Sequence, residues 1–337
     1  MVLTQAWIIF IISALAIIIA GTKLSKYGDV IAIETGLGQA LVGSILVAGA
    51  TSLPEVVTSA TASLINAPDI AIGNVYGSNT FNIMILAVAD SLKGTSPFLL
   101  NVQSKHILSA LLGILLSAIG AMAILSGNLL GSSVEVFGIG IGALAIVVTY
   151  IIGARLIFRY ERKNPELEDE EEAVVGDMSL KEAVMKFAIV AVVIIVAGIK
   201  LSQSADQIAT ATGMEQTFIG STLVAAATSL PEMVASIGAL RINAYDIAVG
   251  NVLGSNIFNM TIIFVADIFY QQGSVLANAS LNHTVTALLG LILSSIVVIG
   301  LFYRSKKTFF NIGWDSFANI FVYLVGAYLL FNLGVNF

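Results

Sequence analysis

Two copies of the hexapeptide ATSLPE, Ala50 to Glu55 and Ala227 to Glu232, place a carboxylate inside apolar runs long enough to cross a bilayer. A charge at the centre of a spanning helix costs about 2.5–3.5 kcal/mol on insertion scales, so such a residue points to function. Each copy brings further oxygen. Proline has no N–H to donate to the residue four before it. Backbone carbonyls around Ala48 to Thr51, and around Ala225 to Thr228, are therefore predicted to be freed from helix bonding, which is tolerated at membrane depth only inside protein or beside a wet cavity. The hydroxyls of Thr51, Ser52, Thr228 and Ser229 lie next to them. Downstream of each glutamate stands a second motif, GNVYGSNTFN at 73–82 and GNVLGSNIFN at 250–259. In it Asn74, Ser78 and Asn82 recur at a spacing of four, as do Asn251, Ser255 and Asn259, giving one polar stripe on a helix. Gly73 with Gly77 and Gly250 with Gly254 form small-xxx-small pairs that let helices approach closely.

Carboxylate, hydroxyl, amide and carbonyl oxygens suit hard cations such as Ca²⁺, Mg²⁺, Na⁺ or H⁺. Two glutamates give a formal charge of −2, matched by one divalent ion or by two or more monovalent ones. The chain has no cysteine and only two histidines, His106 and His283, so thiolate and histidine-based metal centres are not expected. No predicted span has a Lys or Arg in its interior, away from its ends, to neutralise the glutamates. No nucleophile, metal cluster or phosphate loop accompanies them, so enzymatic chemistry and a bound cofactor are not expected. The remaining classes are an antiporter and a passive cation channel built on the same oxygens.

The elements that must position these residues are membrane helices. Of 337 residues 57% are hydrophobic and 11% charged, and the mean hydropathy is +0.95, values suited to a chain whose partner is lipid rather than nucleic acid. Apolar runs between polar breaks predict ten spans, at 5–22, 38–65, 69–91, 104–126, 133–158, 182–203, 215–241, 246–270, 281–302 and 315–335. Turns are expected at NAPD (66–69), SGN (126–128) and RSKKTFFNIGWD (304–315). With the 155–181 linker in the cytoplasm, 14 Lys and Arg fall inside and only Lys200 outside, which predicts both termini outside and a cell-membrane location.

The chain also matches itself under a shift of 177 residues: Lys23 falls on Lys200, Glu55 on Glu232, Asn82 on Asn259, Asp90 on Asp267 and His106 on His283. Five spans per half is an odd number, so the halves enter the membrane from opposite sides. The expected organisation is a first five-helix repeat at 1–158, an acidic linker at 159–181 and an inverted repeat at 182–337, all-α throughout, with broken helices 2/3 and 7/8 around a midplane site.

With these residues on the page, the sequence resembles the cation/Ca²⁺ exchanger superfamily, and within it the Na⁺/Ca²⁺ exchanger branch. The resemblance rests on the two T-S-x-P-E and two G-N-x-x-G-S-N-x-F-N signatures and covers nearly the whole chain. It implies exchange of Ca²⁺ for Na⁺ by alternating access, by a protein working as a monomer, with helices 1 and 6 sliding against the other eight. By motif position it implies Glu55 and Glu232 as central Ca²⁺ ligands. Thr51 and Thr228 would give carbonyls to both ions, and Asn82 and Asn259 would complete the centre. Ser52, Ser229, Ser78, Ser255 and the carbonyls of Ala48 and Ala225 would line the Na⁺ positions. Two departures stand out: Ala50 and Ala227 where the family usually has Gly, and Asn259 where prokaryotic members often have Asp. The second keeps H⁺ open as coupling ion and Mg²⁺ open as substrate, while Ser52 and Ser229, where the proton-coupled branch has Asn, favour Na⁺.

Other features read as supporting structure. ELEDEEE at 166–172 reads as a solvated linker, since it lacks the Gly turn and spaced ligands of a Ca²⁺ loop. Asp69 and Asp246 are expected to cap the helices that follow them. Asp90 and Asp267 are expected to face the two mouths, and His106 and His283 to be interfacial.

Overall fold

Hydrophobic side chains point outward and polar ones inward, the reverse of a water-soluble domain. Ile8, Ile11, Ile12, Leu15 and Ile19 are exposed along the first helix, whereas Ser52, Glu55, Asn74, Asn82, Glu232 and Asn259 are wholly buried. The computed structural model describes residues 2–34, 51–93, 97–131, 134–163, 178–241, 243–309 and 312–334. Ala48, Ala50 and the ELEDEEE run lie outside these described residues.

In chain order the long helices are α1 (Val2–Glu34), α2 (Leu53–Leu64), α3 (Pro68–Lys93), α4 (His106–Leu130), α5 (Ile141–Lys163) and α6 (Leu180–Thr212). They continue with α7 (Gln216–Arg241), α8 (Tyr245–Phe269), α9 (Asn282–Tyr303) and α10 (Trp314–Gly334). Among the described residues eight are long and apolar enough to cross a membrane; α2 and α3 are the exceptions. Helix α3 has the length, 26 residues, but its asparagines and serines lower its hydropathy, and α2 has 12 residues, its upstream neighbours lying outside the described set. The count of ten spans read from the sequence is thus met by eight on composition alone.

Several boundaries differ from the sequence reading. Helices α1 and α6 are each 33 residues, about 50 Å at 1.5 Å per residue, well beyond the expected 5–22 and 182–203. They stay helical through polar turns because nothing there breaks a helix: neither contains proline, and α6 stops only at Gly213 in the left-handed conformation (φ 71°). SGN at 126–128 is no turn either. It lies within α4, where Asn128 donates to the carbonyls of Ile124 and Ala279 at 3.0 Å each, and the helix ends at Gly131 (φ 63°). NAPD does turn, with Asn66 at φ 58°, and its repeat mate Asn243 turns likewise at φ 61°.

Two short antiparallel hairpins also appear, β1 (Glu135–Val136) with β2 (Ile139–Gly140) and β3 (Thr308–Phe309) with β4 (Ile312–Gly313). Their registers, Glu135 to Gly140 and Thr308 to Gly313, match under a shift of 173 rather than 177, because the helix before the hairpin, counted from its repeat-related histidine, ends four residues earlier in the second half, His106 to Leu130 against His283 to Tyr303. Expectations of a helix from 133 and a plain loop at 304–315 both gave way to these hairpins.

The packing order places the polar helices at the centre. Helix α8 has 61% of its apolar window buried and α5 only 17%, so α8 is internal and α5 peripheral. Helix α3 runs against α7, α8 and α9. Helices α1 and α6 lie along each other, with Ala20, Leu24 and Ile194 packed together beside Leu53 and Phe187. Small residues set their contact with the site helices: Gly21 of α1 meets Pro231, and Gly198 of α6, its repeat mate, meets Val57.

Candidate functional site

The two prolines do different work: Pro231 corrects the expectation that each breaks its helix, whereas most of the backbone before Pro54 lies outside the described residues. Pro54 lies in the first turn of α2, behind Ser52, where a missing N–H costs nothing. Pro231 lies inside α7, which remains helical from Ala225 to Arg241. The irregularity in α7 comes earlier, as a π-helical stretch from Ile219 to Val224, where the Ala225 N–H reaches the carbonyl of Gly220. Extra residues in one turn bulge the backbone and recur at functional sites. Here the bulge is received by Gly73 and Gly77 of α3. A Cβ on Gly73 would stand 2.9 Å from the Ser221 nitrogen, and one on Gly77 would stand 2.7 Å from the Ala225 methyl. The glycine pair therefore brings α3 to backbone distance from α7, and with it the Asn–Ser stripe.

Hydrogen bonds then stitch the halves together at the glutamates. The Ser229 hydroxyl donates to Glu55 Oε1 at 3.1 Å. The Thr228 hydroxyl donates to Asn74 Oδ1 at 3.0 Å and also approaches the Ala225 carbonyl at 3.2 Å. Its single proton being used there, Ser78, 3.4 Å away, is the donor in their contact. Behind the glutamates each half repeats one bracket. Asn74 Nδ2 donates to Ser59 Oγ at 2.9 Å and to the Glu55 carbonyl at 3.3 Å; Asn251 Nδ2 donates to Ser236 Oγ at 2.9 Å and to the Glu232 carbonyl at 3.4 Å. Asn74 and Asn251 thus hold the site-bearing helices rather than contributing to its centre.

A set of oxygens remains with nothing to accept. Glu55 Oε2, both carboxylate oxygens of Glu232, Asn82 Oδ1, Asn259 Oδ1, Ser52 Oγ and Ser255 Oγ are all buried and without a hydrogen-bond partner in the protein. Buried polar groups are ordinarily paired, and each exception calls for an explanation. Every atom in this set is oxygen, and no Lys or Arg among the described residues reaches either carboxylate. Both carboxylates are fully buried. Oxygens of this kind, with no proton to accept, suit a hard desolvated cation. The site differs from a resident metal centre: among the described residues no three His, Cys, Asp or Glu side chains converge. Hydroxyl and amide donors make up the rest, as suits an ion that must leave again.

Of the residues singled out from sequence, Glu55, Ser78, Thr228 and Ser229 are drawn into one set of contacts between the halves, and Asn82 and Asn259 into a second. Thr51, Ser52, Glu232 and Ser255 are buried in the same four helical segments, and the Ala225 carbonyl already accepts the Thr228 hydroxyl. The expectation for the Ala48 carbonyl falls on a residue outside the described set.

The aspartate and histidine expectations are corrected. Asp69 and Asp246 do not cap their own helices but reach across to the other half. Asp69 Oδ1 accepts the Ser280 N–H at 2.6 Å and meets His283 Nε2 at 3.0 Å; Asp246 Oδ1 accepts the Gln103 N–H at 2.7 Å and meets His106 Nε2 at 3.0 Å. His106 and His283 are accordingly buried, not interfacial. Asp90 and Asp267 face no mouth: each is 1% exposed and accepts two backbone N–H groups. Asp90 takes those of Phe98 and, from the other half, Gly313 at 2.6 Å; Asp267 takes those of Val275 and, from the other half, Gly140 at 2.6 Å each. The 177-residue match pairs Asp90 with Asp267 and His106 with His283, but sequence cannot say that their partners lie in the opposite half.

Sequence reasoning also passed over Asn79 and Asn256, which fall one residue off the polar stripe. Each donates to the other's backbone carbonyl, at 3.2 and 3.1 Å. A small pocket lined by Tyr76, Asn79, Ser117, Leu253, Asn256 and Ser294 lies behind them, away from the carboxylates.

The sequence profile of the family described as sodium/calcium exchanger protein matches residues 5–126 and 183–333. The chain is 26% identical over 360 residues to the sodium/calcium exchanger MaX1 of Methanosarcina acetivorans, covering 98% of this chain and all of the relative. Among solved structures it resembles the H⁺/Ca²⁺ exchanger CAX with a TM-score of 0.72 at 16% identity, over 97% of this chain and 85% of the other. It resembles the sodium–calcium exchanger NCX_Mj with a TM-score of 0.60 at 24% identity, over 96% and 98%. At these identities the structural likeness shows a shared fold and does not separate Na⁺ from H⁺.

Proposed function

Because this chain belongs to the sodium/calcium exchanger protein family, we propose that it is a secondary antiporter that moves Ca²⁺ across the cell membrane in exchange for Na⁺ by alternating access. The observation that carries this reading is the set of orphaned buried oxygens around Glu55 and Glu232. In it, Glu55 and Glu232 bind Ca²⁺ directly, with Asn82, Asn259 and the carbonyls of Thr51 and Thr228 completing its shell. Ser52, Ser78, Ser229 and Ser255, with the carbonyls of Ala48 and Ala225, serve Na⁺. A pocket of charge −2 is neutralised equally by one Ca²⁺ or by monovalent ions and is costly to leave empty, which is the physical basis of exchange. Ser52 and Ser229 in the T-S-x-P-E motifs favour Na⁺ as coupling ion.

Alternating access is assigned to α1 and α6, which pack on each other and on the site helices through Gly21 and Gly198. The two glycines let Pro231 and Val57 of the site helices pack at close range against α1 and α6. The protein works as a monomer, with both termini outside and the central linker in the cytoplasm, by the distribution of Lys and Arg.

The test is ⁴⁵Ca²⁺ uptake into proteoliposomes. Uptake against an outward Na⁺ gradient at equal pH is the expected result. Uptake driven only by a pH gradient would identify a Ca²⁺/H⁺ antiporter. Flux needing no counter-ion, at channel rates, would make the protein a passive cation channel. Competition by Mg²⁺ in the same assay measures divalent preference.

A further inference from the structure

Asn79 and Asn256 form a closed hydrogen-bonded ring between the two halves, and Asn82 and Asn259 are each attached to it by one bond. Asn79 Nδ2 donates to the Asn256 backbone carbonyl at 3.2 Å and Asn256 Nδ2 to the Asn79 carbonyl at 3.1 Å. Asn82 Nδ2 donates to Asn256 Oδ1 at 3.0 Å, and Asn259 Nδ2 to Asn79 Oδ1 at 3.2 Å. The orientation of each amide follows from chemistry. A backbone carbonyl can only accept, so Asn79 and Asn256 must turn their NH₂ groups to it. Their Oδ1 atoms then face the neighbouring asparagines, which must offer NH₂ in turn. That leaves Asn82 Oδ1 and Asn259 Oδ1 pointing away from the ring, buried and unpartnered like the glutamate oxygens.

We propose that Asn79 and Asn256 are positioning residues that aim the carbonyl oxygens of Asn82 and Asn259 at the transported cation and exclude an ionised carboxylate from those two positions. This rests on the site proposed above and assigns a role to residues outside it. A carboxylate at 259 would set an oxygen against Asn79 Oδ1 with no proton between them. Turning Asn79 over moves the same conflict to the Asn256 carbonyl, so neither orientation accommodates the charge. The ring therefore holds the pocket at the −2 of its two glutamates. It also accounts for the asparagine at 259: in this chain its amide N–H is in use.

The experiment is a double-mutant cycle read by Ca²⁺ affinity, using calorimetry on the purified full chain, with the melting temperature without Ca²⁺ as a control for folding. Asn79→Leu frees the Asn259 amide to turn and should weaken Ca²⁺ binding by about 10–100-fold, the usual effect of removing an outer-shell partner. Asn259→Asp alone should weaken it too. Combined, they should bind better than either single variant, because a leucine side chain offers no opposing oxygen and a carboxylate presents oxygen whichever way it turns. A merely structural role gives additive losses, and a double variant no better than the worse single one overturns the proposal. So does an unchanged affinity in Asn79→Leu. Should Asn79→Leu fail to fold, the mirror pair, Asn256→Leu with Asn82→Asp, carries the same expectation and the same refutation. A wild-type protein that binds Na⁺ but no Ca²⁺ overturns the substrate proposed above, and the cycle is then read with Na⁺.

Discussion

Glu55 and Glu232 are repeat mates in sequence, yet their surroundings differ. Glu55 accepts the Ser229 hydroxyl on one oxygen, whereas both oxygens of Glu232 are unpartnered. The asymmetry suits a pocket that must hold ions of different charge, with one carboxylate anchored and the other left for the ion. Replacing either by glutamine keeps the shape and removes one charge from a pair. Glu55→Gln and Glu232→Gln are each expected to reduce ⁴⁵Ca²⁺ exchange to background in proteoliposomes. The affinity loss should be larger for Glu232→Gln, since its two free oxygens are both available to the ion; equal losses would show that the anchoring of Glu55 has no bearing on binding. Both glutamates are legible in the sequence because a carboxylate without a Lys or Arg partner in an apolar run has few other uses. Asn79 and Asn256 are not, because an asparagine one position off a helical stripe looks the same whether it faces lipid, packing or another amide.

Among the helices, the site depends on backbone-to-backbone approach of α3 and α7. Gly77→Ala sets a methyl against Ser221 and Ala225 in a contact with no slack. It is expected to destabilise the protein by about 1–3 kcal/mol, the range for overpacking, and to lower Ca²⁺ affinity by displacing Ser78 and Asn82. Thermal unfolding in detergent and calorimetry measure the two effects. The four aspartates act on the same elements from their ends. Asp69 and Asp90 lie at opposite ends of α3 and Asp246 and Asp267 at opposite ends of α8, and each accepts a backbone N–H from the other half. Asp267→Asn replaces an acceptor by an NH₂ group facing a backbone N–H, and should cost about 1–3 kcal/mol as an unsatisfied buried donor. A melting temperature equal to wild type would show that the clamp contributes nothing. Helix positions were visible in hydropathy. The π-helical bulge, the hairpins and the length of α1 and α6 were not, since each depends on what the neighbouring helix offers rather than on local composition.

Across the molecule, the pseudo-symmetric contacts make one frame of α3, α8 and the segments clamped to them, which α1 and α6 meet at Gly21 and Gly198. The chain has no cysteine, so orientation can be read directly. A single cysteine placed at 170 in the acidic linker should react with a membrane-impermeant maleimide only after the inner face is exposed, and one placed at residue 2 should react in intact cells. Reversed labelling would overturn the orientation assigned from Lys and Arg.

The class of molecule, the duplication and the candidate ion-binding oxygens could be read from the chain before it was folded. They follow from quantities local to the sequence: apolar run length, a self-match at 177 residues, and charges stranded where lipid would surround them. Which oxygens are left unpaired, which amide faces which, and that the aspartates and histidines bind across the halves rather than within them emerged only from the folded arrangement. A hydrogen bond has a direction and a partner, and in an interlocked repeat that partner stands more than 100 residues away in sequence, as with Asp69 and His283 or Asn79 and Asn259.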